Sequence, residues 1–156
     1  IVLDTKNFSI KTGVRTFEAA AFLRLAGADT VEVKRLFQND LDSYVLRAEI
    51  VSLAKIYKGN IAICEYPKQL SRVIAAQAAD ELLNISKIDA SFVVFLEKDS
   101  VLISARSLGD FNVQVILEKL GGGGHLATAG TQIKGEPISQ VMEKLKSAID
   151  ECIDLE

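Results

Sequence analysis

The sequence predicts an α/β fold in which a helical linker precedes a domain built on a mixed sheet. Three observations carry this expectation. Residues 15–56 show apolar side chains at helical spacing only, and from residue 59 onward strand-like apolar runs alternate with helical ones. Two of the strand-like runs, 90–96 and 101–106, are joined by Glu97-Lys98-Asp99-Ser100, a polar connection so short that they must pair as an antiparallel hairpin.

The chain opens on Ile1-Val2-Leu3-Asp4-Thr5-Lys6-Asn7, an apolar run into a polar cluster. It reads as the end of a buried strand that delivers a carboxylate into a loop. Phe17, Ala20, Ala21, Phe22 and Leu25 then mark an amphipathic helix over 15–25, with Thr12 or Thr16 to cap it and Gly27 to stop it. Ala28-Asp29-Thr30 caps a second helix running to about Gln38, and Asp40 begins a third that runs to Ile56. Residues 60–66 form a strand closed off by Pro67, and the alanine-rich stretch 70–83 forms a helix. After the hairpin come a helix over 112–120, a glycine-rich loop over 121–130, a strand end at 131–134, and a closing helix at 138–149 with Pro137 at its first turn. The division expected is 1–27 as the end of one domain, 28–58 as the helical linker and 59–154 as the second domain.

Composition sets limits on function. A chain of 156 residues and 17.0 kDa, 49% hydrophobic and 25% charged, has the balance of a packed globular protein. Eighteen Lys and Arg against twenty-one Asp and Glu leave a net charge of -3, which gives no general field for long nucleic acids. Any nucleotide must be held locally. Cys64 and Cys152 lack the spacing of a zinc or redox pair and point to a reduced compartment. No apolar stretch approaches the roughly 20 residues of a membrane span. The start at Ile1, without an initiator methionine, reads as a piece of a longer protein, and Leu155-Glu156 are set aside as native or a cloning scar.

The chemistry concentrates around Gly121-Gly122-Gly123-Gly124-His125, where four of the ten glycines precede the sole histidine. Glycines let backbone N–H groups approach an anion, and four in a row at a helix end can form a phosphate nest, with His125 adding a donor. The bland alternative is a left-handed termination of the 112–120 helix. Neither a P-loop nor a dinucleotide fingerprint fits, because no Lys-Ser or Lys-Thr follows and the glycines follow a helix. Upstream, Ser104-Ala105-Arg106-Ser107 and Asn112 place a guanidinium, hydroxyls and an amide near the glycine run, a clamp for phosphate and sugar. Alternatively, Arg106 is a solvated strand-end charge and Asn112 or Asp110 a helix cap. Asp4 could serve a divalent metal or merely a turn, and one carboxylate is not a metal site.

Taken together, these motifs resemble the DHH phosphoesterase superfamily, in which a metal-carrying DHH domain is followed by a DHH-associated domain ending in a GGGGH motif. Ser104-Ala105-Arg106-Ser107, Asn112-Val113 and Leu120-Gly121-Gly122-Gly123-Gly124-His125 are similar in order and spacing to that domain's substrate-binding signature. Leu3-Asp4-Thr5-Lys6-Asn7-Phe8 with Arg15-Thr16-Phe17-Glu18-Ala19-Ala20 resembles the cyclic-di-AMP phosphodiesterase branch. Thr128 departs from the family's usual xxAAG pattern after the histidine. The resemblance implies that 1–27 ends a DHH catalytic domain and that 59–154 is the associated substrate-binding domain. It implies that Asp4 is one ligand of a two-manganese (Mn) centre whose other ligands lie outside this chain. It also implies that Arg106, Ser107, Asn112, Gly121, Gly122, Gly123, Gly124 and His125 hold a cyclic dinucleotide or short nucleotide. A full-length relative would be membrane-anchored with this part on the cytoplasmic face. The chain itself would be soluble, without direct membrane contact, with homodimerisation left open. The isolated chain should be inactive. The competing readings are a DHH nuclease or phosphatase acting on short oligonucleotides or pAp, a nucleotide- or RNA-binding module that does not cleave, and a scaffold whose glycine loop is only structural.

Overall fold

The computed structural model describes residues 1–38, 40–109 and 111–153. Asp110, offered as a helix cap, and the terminal Leu155-Glu156 lie outside the described residues. The chain separates into two compact units, one formed by Ile1–Asp40 and the other beginning at Leu41.

In the first unit, residues 2–9 coil through successive turns, and the strand expected at Ile1-Val2-Leu3 does not form. The Thr5 and Asn7 amides donate to the carbonyls of Ile1 and Val2 at 3.0 Å, and Lys6, Asn7 and Phe8 adopt positive φ. A backbone closed on itself in this way cannot present a ladder edge, and Leu3 is exposed. Helix α1 (Val14–Leu25) begins after Gly13, whose amide donates to Thr16 Oγ1 at 3.2 Å. It stops where a Schellman motif closes over Gly27, the Ala28 amide reaching the Leu23 carbonyl and the Gly27 amide that of Arg24. Its amphipathic face covers little, because α1 has no buried residue. Phe17 instead stacks on Phe8 with ring centroids 5.4 Å apart. Asp29 caps α2 (Thr30–Arg35) by accepting from the amides of Val31 and Glu32, as its position predicts, although the helix ends three residues short of Gln38.

The second unit is a six-stranded mixed sheet with helices on both faces, the α/β architecture expected. Helix α3 (Leu41–Ser52) belongs to this unit rather than to a separate linker. It ends before Lys55, and β1 (Lys55–Tyr57) takes the segment expected to remain helical to Ile56. Strands β2 (Ile61–Gln69), β3 (Ala90–Glu97), β4 (Ser100–Ser107), β5 (Gly123–His125) and β6 (Thr128–Lys134) complete the order β1-β2-β3-β4-β6-β5. Among the described residues only β2 and β3 run parallel, joined through α4 (Arg72–Leu82). Pro67 does not end β2. The strand passes through it at an irregularity between Tyr66 and Gln69, where the missing amide removes no regular ladder bond. The short polar connection turns β3 into β4 as predicted, with Glu97 opposite Ser100 and Lys98 at positive φ.

The side-chain period of two divides the core. Ile61, Ile63, Phe92, Val94, Ile103 and Ala105 pack with α5 (Val113–Glu118) and α6 (Ile138–Ile153), whereas Ala62, Cys64, Val93, Phe95 and Leu102 pack with α3 and α4. Strands buried on both faces explain why 90–96 reads as a continuous apolar run. Across α3 and α4, the buried Arg47 donates from Nε to Glu81 Oε1 at 2.6 Å and from Nη1 to Gln77 Oε1 at 3.1 Å, so its charge is not left unpaired.

Cys64 is buried, donates to the Ile50 carbonyl at 3.1 Å, and is pushed up to about 11, first by burial and then by the neighbouring Glu65 charge. A thiol so held yields little thiolate at pH 8, whereas Cys152 is only half-buried. Native chain is expected to consume one equivalent of an aromatic disulfide reagent quickly and a second only after denaturation. Rapid consumption of two equivalents by folded chain would contradict this burial.

Candidate functional site

The register of the last three strands builds the site. Residues directly opposite one another in an antiparallel ladder point to the same face. Arg106 lies opposite Thr128, and Thr128 opposite His125. One step along, Ser104 lies opposite Gly130, and Gly130 opposite Gly123. The first row carries side chains across the sheet, and the second ends on two residues with none. The floor beside Ser104 is therefore bare backbone, on the sheet face that carries Leu102 and α4.

A cavity of about 540 Å³ opens over this floor, lined by Ser104, Arg106, Gly121, Gly122, Gly123 and Gly130 and, from outside the expected set, by Arg72 and Gln132. Arg106 is mostly buried, with 15% of its side chain exposed. Its Nη1 donates to the Ala105 carbonyl at 2.8 Å and Ser104 Oγ at 3.4 Å, and its Nε lies 3.5 Å from Asp80 Oδ1. The guanidinium is thereby aimed and partly neutralised, with donor capacity left for an anion.

The four glycines play different parts. Gly121, at φ 75°, sits at the left-handed position that ends α5, its amide reaching the Glu118 carbonyl while the Gly122 amide reaches that of Leu117. A Cβ on Gly122 would fall 2.4 Å from the Gly130 carbonyl oxygen, and one on Gly124, at φ 155°, would fall 2.3 Å from that of Thr128. Both permit close approach of β6. Gly123 alone combines an ordinary φ with nothing within 4 Å of a would-be Cβ. The expected four-amide nest does not form, because two of the amides serve the helix end and the other two glycines lie in β5, where a loop was expected. What the run offers a ligand is the open backbone at Gly123.

His125 stands exposed on the edge strand, in the row of Arg106, without lining the cavity. Ser107 and Asn112 are not brought there. Ser107 is one residue beyond Arg106 and so falls on the opposite face, buried with its Oγ unpartnered among the described residues. Asn112 caps α5, its Oδ1 accepting from the amides of Gln114 and Val115 at 3.1 and 3.4 Å. Asp4 is exposed in the turns of the first unit, 3.9 Å from the amino terminus. No group of three or more His, Cys, Asp or Glu among the described residues could hold a metal ion. A manganese centre needs several oxygen or nitrogen donors, so the donor set of the described residues does not by itself fit one. No helix among the described residues is long and apolar enough to cross a membrane.

Residues 58–154 match the DHHA1 domain family. Across 99% of its length the chain is 49% identical to the cyclic-di-AMP phosphodiesterase GdpP of Bacillus subtilis, and across 96% it is 48% identical to the cyclic-di-AMP phosphodiesterase PdeA of Listeria monocytogenes. It spans about a quarter of the length of these curated relatives. Among solved structures, an exopolyphosphatase-related protein from Bacteroides fragilis superposes with a TM-score of 0.88 at 20% identity, covering 99% of this chain and 48% of that one. That likeness concerns the fold.

Proposed function

Because the chain belongs to the DHHA1 domain family, we propose that it is the substrate-holding part of a phosphodiesterase that opens cyclic di-AMP to pApA. The observation that carries this is the bare floor at Gly123 and Gly130 beside a mostly buried, aimed Arg106. The near-50% identity to two cyclic-di-AMP phosphodiesterases supports the choice of ligand. In this reading the Arg106 guanidinium donates to a phosphate oxygen, Gly123 lets the ligand lie against the backbone, and His125 offers an imidazole donor from the edge strand. The net charge of -3 suits such a local grip and not a long polynucleotide.

The hydrolytic chemistry is assigned to a two-manganese centre carried by the rest of a longer, membrane-anchored protein, with this part on its cytoplasmic face. Residues 1–27 would close the catalytic domain, and Asp4 would lend it one carboxylate. Isolated chain titrated calorimetrically with cyclic di-AMP and pApA in the presence of a chelator is expected to bind both saturably. With manganese added, it is expected to leave cyclic di-AMP intact. Hydrolysis by this chain alone would overturn the division of labour.

A further inference from the structure

We propose that Arg72 is a second ligand-holding cation of this cavity, set in place by Glu97 and Gln132, and that it selects ligands carrying two phosphates over those carrying one. The inference rests on the substrate-holding reading above and adds a residue and a selectivity to it. Arg72 opens α4 after the capping Ser71 and lines the cavity. Its Nε and Nη2 donate to Glu97 Oε2 at 2.9 and 2.7 Å, and Nη2 also donates to Gln132 Oε1 at 3.0 Å. Gln132 is fixed in turn by its Nε2, which donates to Ser100 Oγ at 3.1 Å. Two independent groups thus orient a side chain that is 59% exposed and that a surface arginine would otherwise leave mobile. Nη1 has no hydrogen-bond partner among the described residues and remains able to donate. Glu97 is held below the usual carboxylate range, chiefly by its hydrogen bond from Arg72, so the carboxylate stays charged and the clamp closed at neutral pH.

Placement decides the ligand class. Gln132, which holds Arg72, is four residues along β6 from Thr128, the neighbour of Arg106, a backbone span of roughly 13 Å. Gly130 lies midway and contributes no side chain. Among the described residues, Arg72, backed by Glu97 and held by Gln132 at one end of this stretch, and Arg106, backed by Asp80 and rooted opposite Thr128 at the other, therefore line one bare floor. A ligand with two phosphates engages both ends, and a mononucleotide engages one.

The test measures the affinities of the full 156-residue chain and of Arg72→Ala for pApA and for AMP, with a thermal melt of each protein. Arg72→Ala is expected to weaken pApA about tenfold and AMP less than twofold, without lowering the melting temperature appreciably, because exposed ion pairs contribute little to stability. Equal losses for the two ligands, or no loss for pApA while Arg106→Ala abolishes its binding, would overturn the assignment of Arg72 alone. Failure of the unsubstituted chain to bind either nucleotide would instead overturn the substrate-holding reading, and this inference with it.

Discussion

Replacing Gly124 with alanine is expected to destabilise the second unit by about 2–5 kcal/mol, the sum of a backbone conformation that L-residues rarely adopt and a Cβ forced against β6. The oxygen of Thr128 and the Cα of Ala129 would lie 2.3 and 2.6 Å from the new atom, and both belong to backbone that cannot swing aside. Gly122→Ala meets Gly130 and Thr131 in the same way and is expected to cost about 1–3 kcal/mol. Urea denaturation followed by circular dichroism measures both losses. Gly123→Ala, whose Cβ meets nothing within 4 Å, is expected to unfold within about 0.5 kcal/mol of the unsubstituted chain. If all three variants melted alike, the unequal roles of the glycines would be wrong.

Arg106→Ala is expected to cost about 1.5–3 kcal/mol of binding energy for cyclic di-AMP or pApA, roughly a 10- to 150-fold loss, as removal of charge-assisted hydrogen bonds to phosphate should. The side chain is 15% exposed and already aimed by Ala105 and Ser104, so little ordering is left to be done on binding. Arg106→Lys keeps the charge but not the planar fork and is expected to recover only part of the affinity. Unchanged affinity in Arg106→Ala, measured calorimetrically, would remove this residue from the site.

Much of this architecture is legible in the sequence, and the misses share physical causes. Short-range chemistry reads well. Asp29 caps α2, Glu97-Lys98-Asp99-Ser100 forms a tight hairpin, and Asn112 takes the capping role offered as the alternative to ligand binding. Where an element depends on a partner, local pattern fails. Lys55–Tyr57 becomes a strand because β2 is there to pair with it, and Gly123–His125 becomes one because β6 is. Glycines with no β propensity give no local signal for that pairing. Pro67 looks like a strand end, yet an irregular register accommodates it.

The site divides along the same line. Ser104, Arg106 and the first three glycines of the run, Gly121, Gly122 and Gly123, stand out by composition and meet in the cavity. Ser107 fails by one residue, since a strand turns alternate side chains to opposite faces. Arg72 and Gln132 carry no local signature at all. They reach the cavity through tertiary packing, one from the first turn of α4 and the other from β6.

A substrate-holding role requires Gly123 to provide open floor for a ligand and not a structural turn. Gly123→Ala separates the two when a denaturation curve is paired with a calorimetric titration of pApA. A fold as stable as the unsubstituted chain's, with affinity reduced at least tenfold, is the predicted result. Equal stability with unchanged affinity would contradict it, because a methyl group would then occupy the floor without meeting the ligand.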